Sequence, residues 1–179
     1  MKFDPFNNRV CRDIRNGLSK GLMDALRNKD LKAVHTLAAK YLAQGVEPYQ
    51  KKYIEGRLGG YEKVLAGIRR LDPDDVYDIA LKLWDAELFY EVHEYLEFYW
   101  KQASGANREI LQALIRAAGT YIHLEQGNVK GAANMAAKAV KILEKKVSRA
   151  LLPGYLDLGL LLVKLRNLDP VAPKLIRRI

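Results

Sequence analysis

Between Glu87 and Trp100 the chain reads Glu-Leu-Phe-Tyr-Glu-Val-His-Glu-Tyr-Leu-Glu-Phe-Tyr-Trp, which gathers a histidine, four carboxylates and a tryptophan into one short stretch. On a helix, at about 100° per residue, Leu88, Val92, Leu96 and Tyr99 share one side, with Phe89 and Trp100 at its edge. Glu87, Glu91, Glu94 and Glu97 gather on another arc, and His93 lies between them and the core edge, one turn before Glu97. An imidazole and a carboxylate at this spacing can hydrogen-bond or share a metal ion. Like charges three and four residues apart cost about 0.2–0.5 kcal/mol per pair in an isolated helix. The stripe therefore calls for a cation, a basic neighbouring helix or open solvent.

The nearest catalytic pattern is the zincin helix, His-Glu-x-x-His, with two histidines as ligands and the glutamate as general base. Glu97 stands where the second histidine would be. This makes His93 and Glu97 the candidate metal ligands and Glu94 the candidate catalytic base, with a third ligand supplied by a neighbouring helix, from His123 or Gln112. Those two cannot both reach one ion, because 11 residues of helix separate them by about 16 Å. A di-iron bundle wants Glu-x-x-His, and position 90 is Tyr90. The plainer reading makes His93 a core-edge histidine bonded to a carboxylate, Gln112 and His123 polar residues of a helix seam, and Phe89 and Trp100 core. No nucleophile with a nearby base stands out, and no glycine-rich phosphate loop follows a strand.

The elements that must position these groups are helices. Nearly half of the 179 residues are apolar, and period-two runs of Val, Ile and Thr are scarce, so the fold class is all-α, a bundle of antiparallel helical hairpins with about seven or eight helices. Residues 1–71 read as an N-terminal helical extension packed on a core of residues 72–179. The formal charge of +9 is uneven: residues 1–71 hold 15 basic and 7 acidic side chains, 72–97 hold 1 and 9, and 98–179 hold 14 and 5. The acidic block is the motif region. One cysteine, Cys11, excludes an intramolecular disulfide and fits a reducing compartment. The start lacks the apolar stretch of a signal peptide, and no run approaches the roughly 18 apolar residues of a membrane span. The expected address is the cytoplasm, with no membrane partner.

Periodicity predicts helices from near Val10 to Leu26, from Asp30 as N-cap to a stop at Gly45, and from Glu47-Pro48 onward, with a kink or break at Gly56, Gly59 and Gly60 before Tyr61. Asp72-Pro73-Asp74-Asp75 opens the next helix. The apolar phase between Val76 and Trp84 is nearly opposite to that after Leu88, so a turn near Asp85 to Glu87 is required. Another helix runs from about Arg108 to Gln126, with Gln112, Arg116, Gly119 and His123 on one side, and ends at Gly127. Asn128 caps a helix with a basic end at Lys145, Lys146 and Arg149. Pro153-Gly154 leads into an apolar helix, Tyr155 to Leu165, and the tail after Asp169 is expected along the surface.

Tyr90-Glu-Val-His-Glu-Tyr-Leu-Glu97 followed by Trp100 resembles the signature of the bacterial and archaeal family known as domain of unknown function 309, roughly Phe-Glu-Ala-His-Glu-x-Leu-Glu-x-x-Trp. A second block of that family resembles Leu111 to Arg116 followed by His123, Gly127, Asn128, Gly131 and Ala132. The resemblance spans about residues 76 to 165. It implies a compact helical fold and no established activity. Val92 stands in place of a small Ala, Ala113 in place of Gly and Arg116 in place of Gln, and the glycine expected just before the motif helix falls at Glu87.

The leading expectation is a binding or interaction module for a small molecule or protein, with a polar pocket around His93, Glu94 and Glu97 closed by Gln112, Arg116 or His123, and with Glu91 and Trp100 among the ligand-binding candidates. One alternative is a metal-dependent hydrolase; the cofactor is then a divalent transition metal, and otherwise there is none. The other is nucleic-acid binding through the basic helix 138–149 and the tail cations Lys174, Arg177 and Arg178. The apolar stretch from Leu158 to Leu165 also suits a homo-oligomer.

Overall fold

A computed structural model describes residues 1–68 and 75–177. The chain divides into two units, residues 1–73 and 74–179, and among the described residues every regular element is a helix.

The first unit holds α1 (Arg9–Asn28), α2 (Lys32–Ala43) and α3 (Pro48–Ile68). Asn8 caps α1, its side chain accepting from the Cys11 N–H at 3.0 Å, and the helix then buries Cys11, Ile14, Leu18, Leu22 and Ala25 along one stripe. Asp30 accepts from the Lys32 N–H at 2.8 Å, and Leu31 occupies the N-cap position itself. The break expected at Gly56, Gly59 and Gly60 is absent: α3 runs through all three. Glycine inside a helix costs about 0.5–1 kcal/mol relative to alanine. Burial of Ile54 on one side of the glycines and of Tyr61, Val64, Leu65 and Ile68 on the other outweighs that cost.

The second unit holds α4 (Val76–Asp85), α5 (Phe89–Trp100), α6 (Gly105–Glu125), α7 (Val129–Leu143), α8 (Lys146–Leu151) and α9 (Leu158–Asn167). Nine helices among the described residues exceed the expected number, because the basic end read as part of α7 is a separate short helix. The break follows Leu143, and the Ile142 carbonyl at the end of α7 accepts from the Ser148 hydroxyl at 2.8 Å and from the Lys145 N–H at 3.1 Å. Asp75 caps α4 by accepting from the Asp78 N–H at 3.0 Å; Asp72, Pro73 and Asp74, read with it as a helix start, lie outside the described residues.

The phase reversal between Trp84 and Leu88 is resolved by a tight turn. The Leu88 N–H reaches back to the Leu83 carbonyl at 3.0 Å, and Glu87 adopts a left-handed backbone with φ of 60°. The buried Trp84 packs edge-on against Phe89 and Tyr121, which stack on one another, so α4, α5 and α6 share one aromatic cluster.

The tail departs from its expected place on the surface. The Trp84 indole N–H donates to the Pro173 carbonyl at 2.9 Å, and the Asp85 carboxylate accepts from the N–H groups of Leu175 at 2.6 Å and Ile176 at 3.2 Å. Leu156 and Ile176 form an antiparallel bridge, and Leu175 is fully buried. Two prolines kept this segment out of a helix, but its apolar residues still had a core to fill. No helix among the described residues is long and apolar enough to cross a membrane.

A non-glycine residue in the left-handed region is strained by about 1–2 kcal/mol. Glu87 is therefore the test of the turn. Glu87→Gly and Glu87→Ala both lose the exposed contact with Lys174 at 2.9 Å, so their difference isolates the backbone. The glycine variant is expected to be the more stable by about 1 kcal/mol in urea unfolding; equal midpoints would show that the turn relaxes without cost.

Candidate functional site

Three consecutive helices line a partly open cavity of about 350 Å3 in the second unit. From α5 it receives His93, Glu97 and Trp100, which fall on one side because they are spaced by four and three residues. From α6 come Gln112, Ile115, Arg116 and Gly119, again one helical face, and from α7 come Met135 and Lys138. The central helix α6 makes its most extensive contacts with α5 and α7. Small residues make this possible. Ala113, Ala117, Ala118 and Thr120 are buried on α6, and Ala132, Ala136 and Ala139 on α7. Gly119 sits in the cavity wall, and a Cβ built there would meet the Met135 Cγ at 3.8 Å, an ordinary contact.

The polar groups of the cavity are incompletely paired. His93 Nδ1 lies 3.4 Å from Glu94 Oε1, with both side chains about a third exposed, and this buried nitrogen makes no hydrogen bond with any described residue. The Trp100 indole N–H is likewise buried without an acceptor, while the Arg108 guanidinium covers the Trp100 ring at 4.2 Å and donates to the Trp100 carbonyl at 3.1 Å. Glu97 meets Lys101 at 3.6 Å, an exposed pair one turn along α5. Arg116 and Lys138 form no ion pair with any described residue, and Lys138 is exposed, which sets it at the cavity's mouth.

The structure brings together His93, Glu97, Trp100, Gln112 and Arg116 among the residues singled out in the sequence, and keeps Glu87, Glu91, Glu94 and His123 out of the cavity wall. Glu91 is fully buried beside Val92, Tyr95 and Leu96 on the core arc of α5, so the four glutamates are not one solvated stripe. Glu87 precedes α5 and contacts Lys174 instead. Glu94 is held at the outer side, against His93. His123 lies in the last turn of α6, beside the start of α7. Gly127 turns the chain with φ of 74°, Asn128 caps α7 by accepting from the Gly131 N–H at 2.8 Å, and the His123 ring lies against Gly131 so closely that a Cβ there would stand 2.7 Å from Nδ1. Met135 and Lys138 escaped notice in the sequence, since one reads as core and the other as part of a basic run. Their three-residue spacing on α7, in phase with the α6 face, was the available signal.

His93, Glu94 and Glu97 each offer a ligand atom, and these atoms lie within 4.8 Å of one another. Of the cations read as a phosphate-binding surface, three are engaged with acids, Lys145 with Glu109 at 2.7 Å, Lys174 with Glu87 at 2.9 Å and Arg177 with Asp157 at 3.3 Å, while Lys138, Lys141, Lys146 and Arg149 form no ion pair with any described residue. Arg178 lies outside the described residues.

Residues 77–135 match the family described as Domain of unknown function (DUF309). The resemblance carried by the His93 motif and by the Gly127-Asn128 block is thus shown, over a segment that ends within α7. Every cavity residue except Lys138 falls inside the DUF309 segment. No curated protein and no solved structure matches the chain.

The two glycines of the DUF309 block serve the turn and leave the cavity alone. Gly131→Ala should therefore lower stability by about 1–3 kcal/mol through clashes with the His123 ring and the Asn128 side chain. The double variant with His123→Ala should recover the His123 share of the loss in a double-mutant cycle read by chemical denaturation. Additive losses would show that His123 and Gly131 are not packed against one another.

Proposed function

We propose that the second unit is a binding module for a small polar molecule, seated between α5, α6 and α7. The observation that supports this reading most directly is the convergence on one cavity of two cations without an ion-pair partner among the described residues, Arg116 and Lys138, with Glu97, His93 and Trp100. Charged side chains of both signs held around one space without pairing to one another point to an occupant. A volume near 350 Å3 is at the lower end of small-molecule sites.

Gly119 supports the same reading. Alanine would fit there without a clash and would favour the helix by about 0.5–1 kcal/mol. The glycine keeps that space open at a cost in stability. The test uses the two tryptophan indole N–H signals in a nitrogen–proton correlation spectrum. Trp84, bonded to Pro173, is the internal control, and Trp100 reports on the cavity. Pools of amino acids, mono- and dicarboxylates, sugar phosphates and nucleosides are added in turn. At least one pool should move the Trp100 signal alone, and Gly119→Ala should raise the unfolding midpoint while weakening that shift. A Trp100 signal unmoved by every pool would rule the reading out.

A second reading has one observation in its favour, the proximity of the ligand atoms of His93, Glu94 and Glu97. Three protein ligands with an open position is the arrangement of catalytic zinc. It would use Glu94 as a ligand, leaving the hydrolase alternative without the base assigned to it. Elemental analysis of protein purified without chelator should then give one equivalent of a transition metal, lost in His93→Ala. Equal metal content in parent and variant would exclude it.

A further inference from the structure

We infer that the occupant of the cavity is a small zwitterion, a free α-amino acid, with its carboxylate on Arg116 and Lys138 and its ammonium on Glu97 and His93. The inference rests on the binding reading above and narrows it to a chemical class.

Its basis is the division of charge across one space. The carboxylate of Glu97 comes from α5, and the two cations come from α6 and α7. All three line the same cavity, yet no pair among them comes within the 4.0 Å of an ion pair. Glu97 has only the exposed Lys101 as a partner, and the two cations have none among the described residues. An anion drawn in by Arg116 and Lys138 alone would face the Glu97 carboxylate, and a cation drawn in by Glu97 would face two positive groups. Coulomb repulsion at the far wall offsets the attraction at the near one, so a ligand of one sign forfeits much of what it gains. A molecule with both charges gains at both ends.

The remaining wall agrees with that class. The Arg116 fork presents paired N–H donors suited to a carboxylate, and His93 in its neutral form can accept from an ammonium. Ile115 and Met135 supply an apolar surface for a side chain. The cavity's volume equals that of roughly a dozen waters at bulk density, enough for an amino acid with its side chain.

The experiment follows the Trp100 indole signal of the full chain during titration with the protein amino acids in small pools, then singly. The binding amino acid is compared with its α-carboxamide, which lacks the negative charge, and its N-acetyl derivative, which lacks the positive one. Each derivative should bind at least tenfold more weakly. Arg116→Met should erase the preference over the carboxamide, and Glu97→Gln the preference over the N-acetyl form, with both variants retaining the helical circular-dichroism spectrum of the parent. If a plain carboxylate or phosphate binds better than any amino acid, and more tightly still to Glu97→Gln, the site takes anions: the zwitterion inference falls and the binding reading stands. If no pool of any class moves Trp100, both fall. Binding of both derivatives with unchanged affinity overturns the inference alone.

Discussion

The second unit depends on how closely α6 can approach its two neighbours. Its buried residues between Ala113 and Thr120 are mostly small, and α7 meets it with the alanines at 132, 136 and 139. Small side chains bring helix backbones together and strengthen many weak dispersion contacts at once, but they leave little volume for filling irregular space. Where that seam opens, at Gly119 and beside Met135, the space is lined by long polar side chains reaching in from all three helices. Tight packing and cavity thus have the same origin.

Around this seam the structure anchors its ends with polar groups used once each. Trp84 joins the aromatic cluster and, through its indole N–H, holds Pro173 of the tail. Asp85 uses both carboxylate oxygens on backbone N–H groups of the tail. Buried Tyr121 has its phenol pushed to higher pKa by burial, so the cluster stays neutral across the ordinary pH range. At the cavity, by contrast, Arg116 and Lys138 have no ion-pair partner among the described residues.

The hairpin elements were legible because their signals are local. Asn8, Asp75 and Asn128 each cap a helix from the adjacent residues, and Gly45 and Gly127 sit at positive φ just past helix ends, whereas the last helix, read from Tyr155, starts only after its cap Asp157. The opposite apolar phases on either side of Asp85 demanded a turn, and Glu87 makes it in the left-handed conformation that the family pattern assigns to glycine. The glycines of α3 misled for the same reason: a local preference was outweighed by burial along the helix. Of the site, the α5 and α6 contributors followed from helical spacing, as with His93 and Glu97 or Gln112 and Arg116.

By itself the sequence determined that the chain is helical, where most helices begin and end, and which polar residues share a face of α5 or α6. These are properties of neighbours a few bonds or one turn apart, and backbone sterics, capping and periodicity are enough to decide them. Tertiary structure alone decided which faces meet. The rotation of α7 against α6 admits Met135 and Lys138 to the cavity and sets His123 on Gly131. Packing also buries Glu91 while leaving Glu94 outside, and draws Leu175 into a core some ninety residues away from Asp85. Those outcomes depend on shape complementarity between surfaces distant in the chain, which no local pattern encodes.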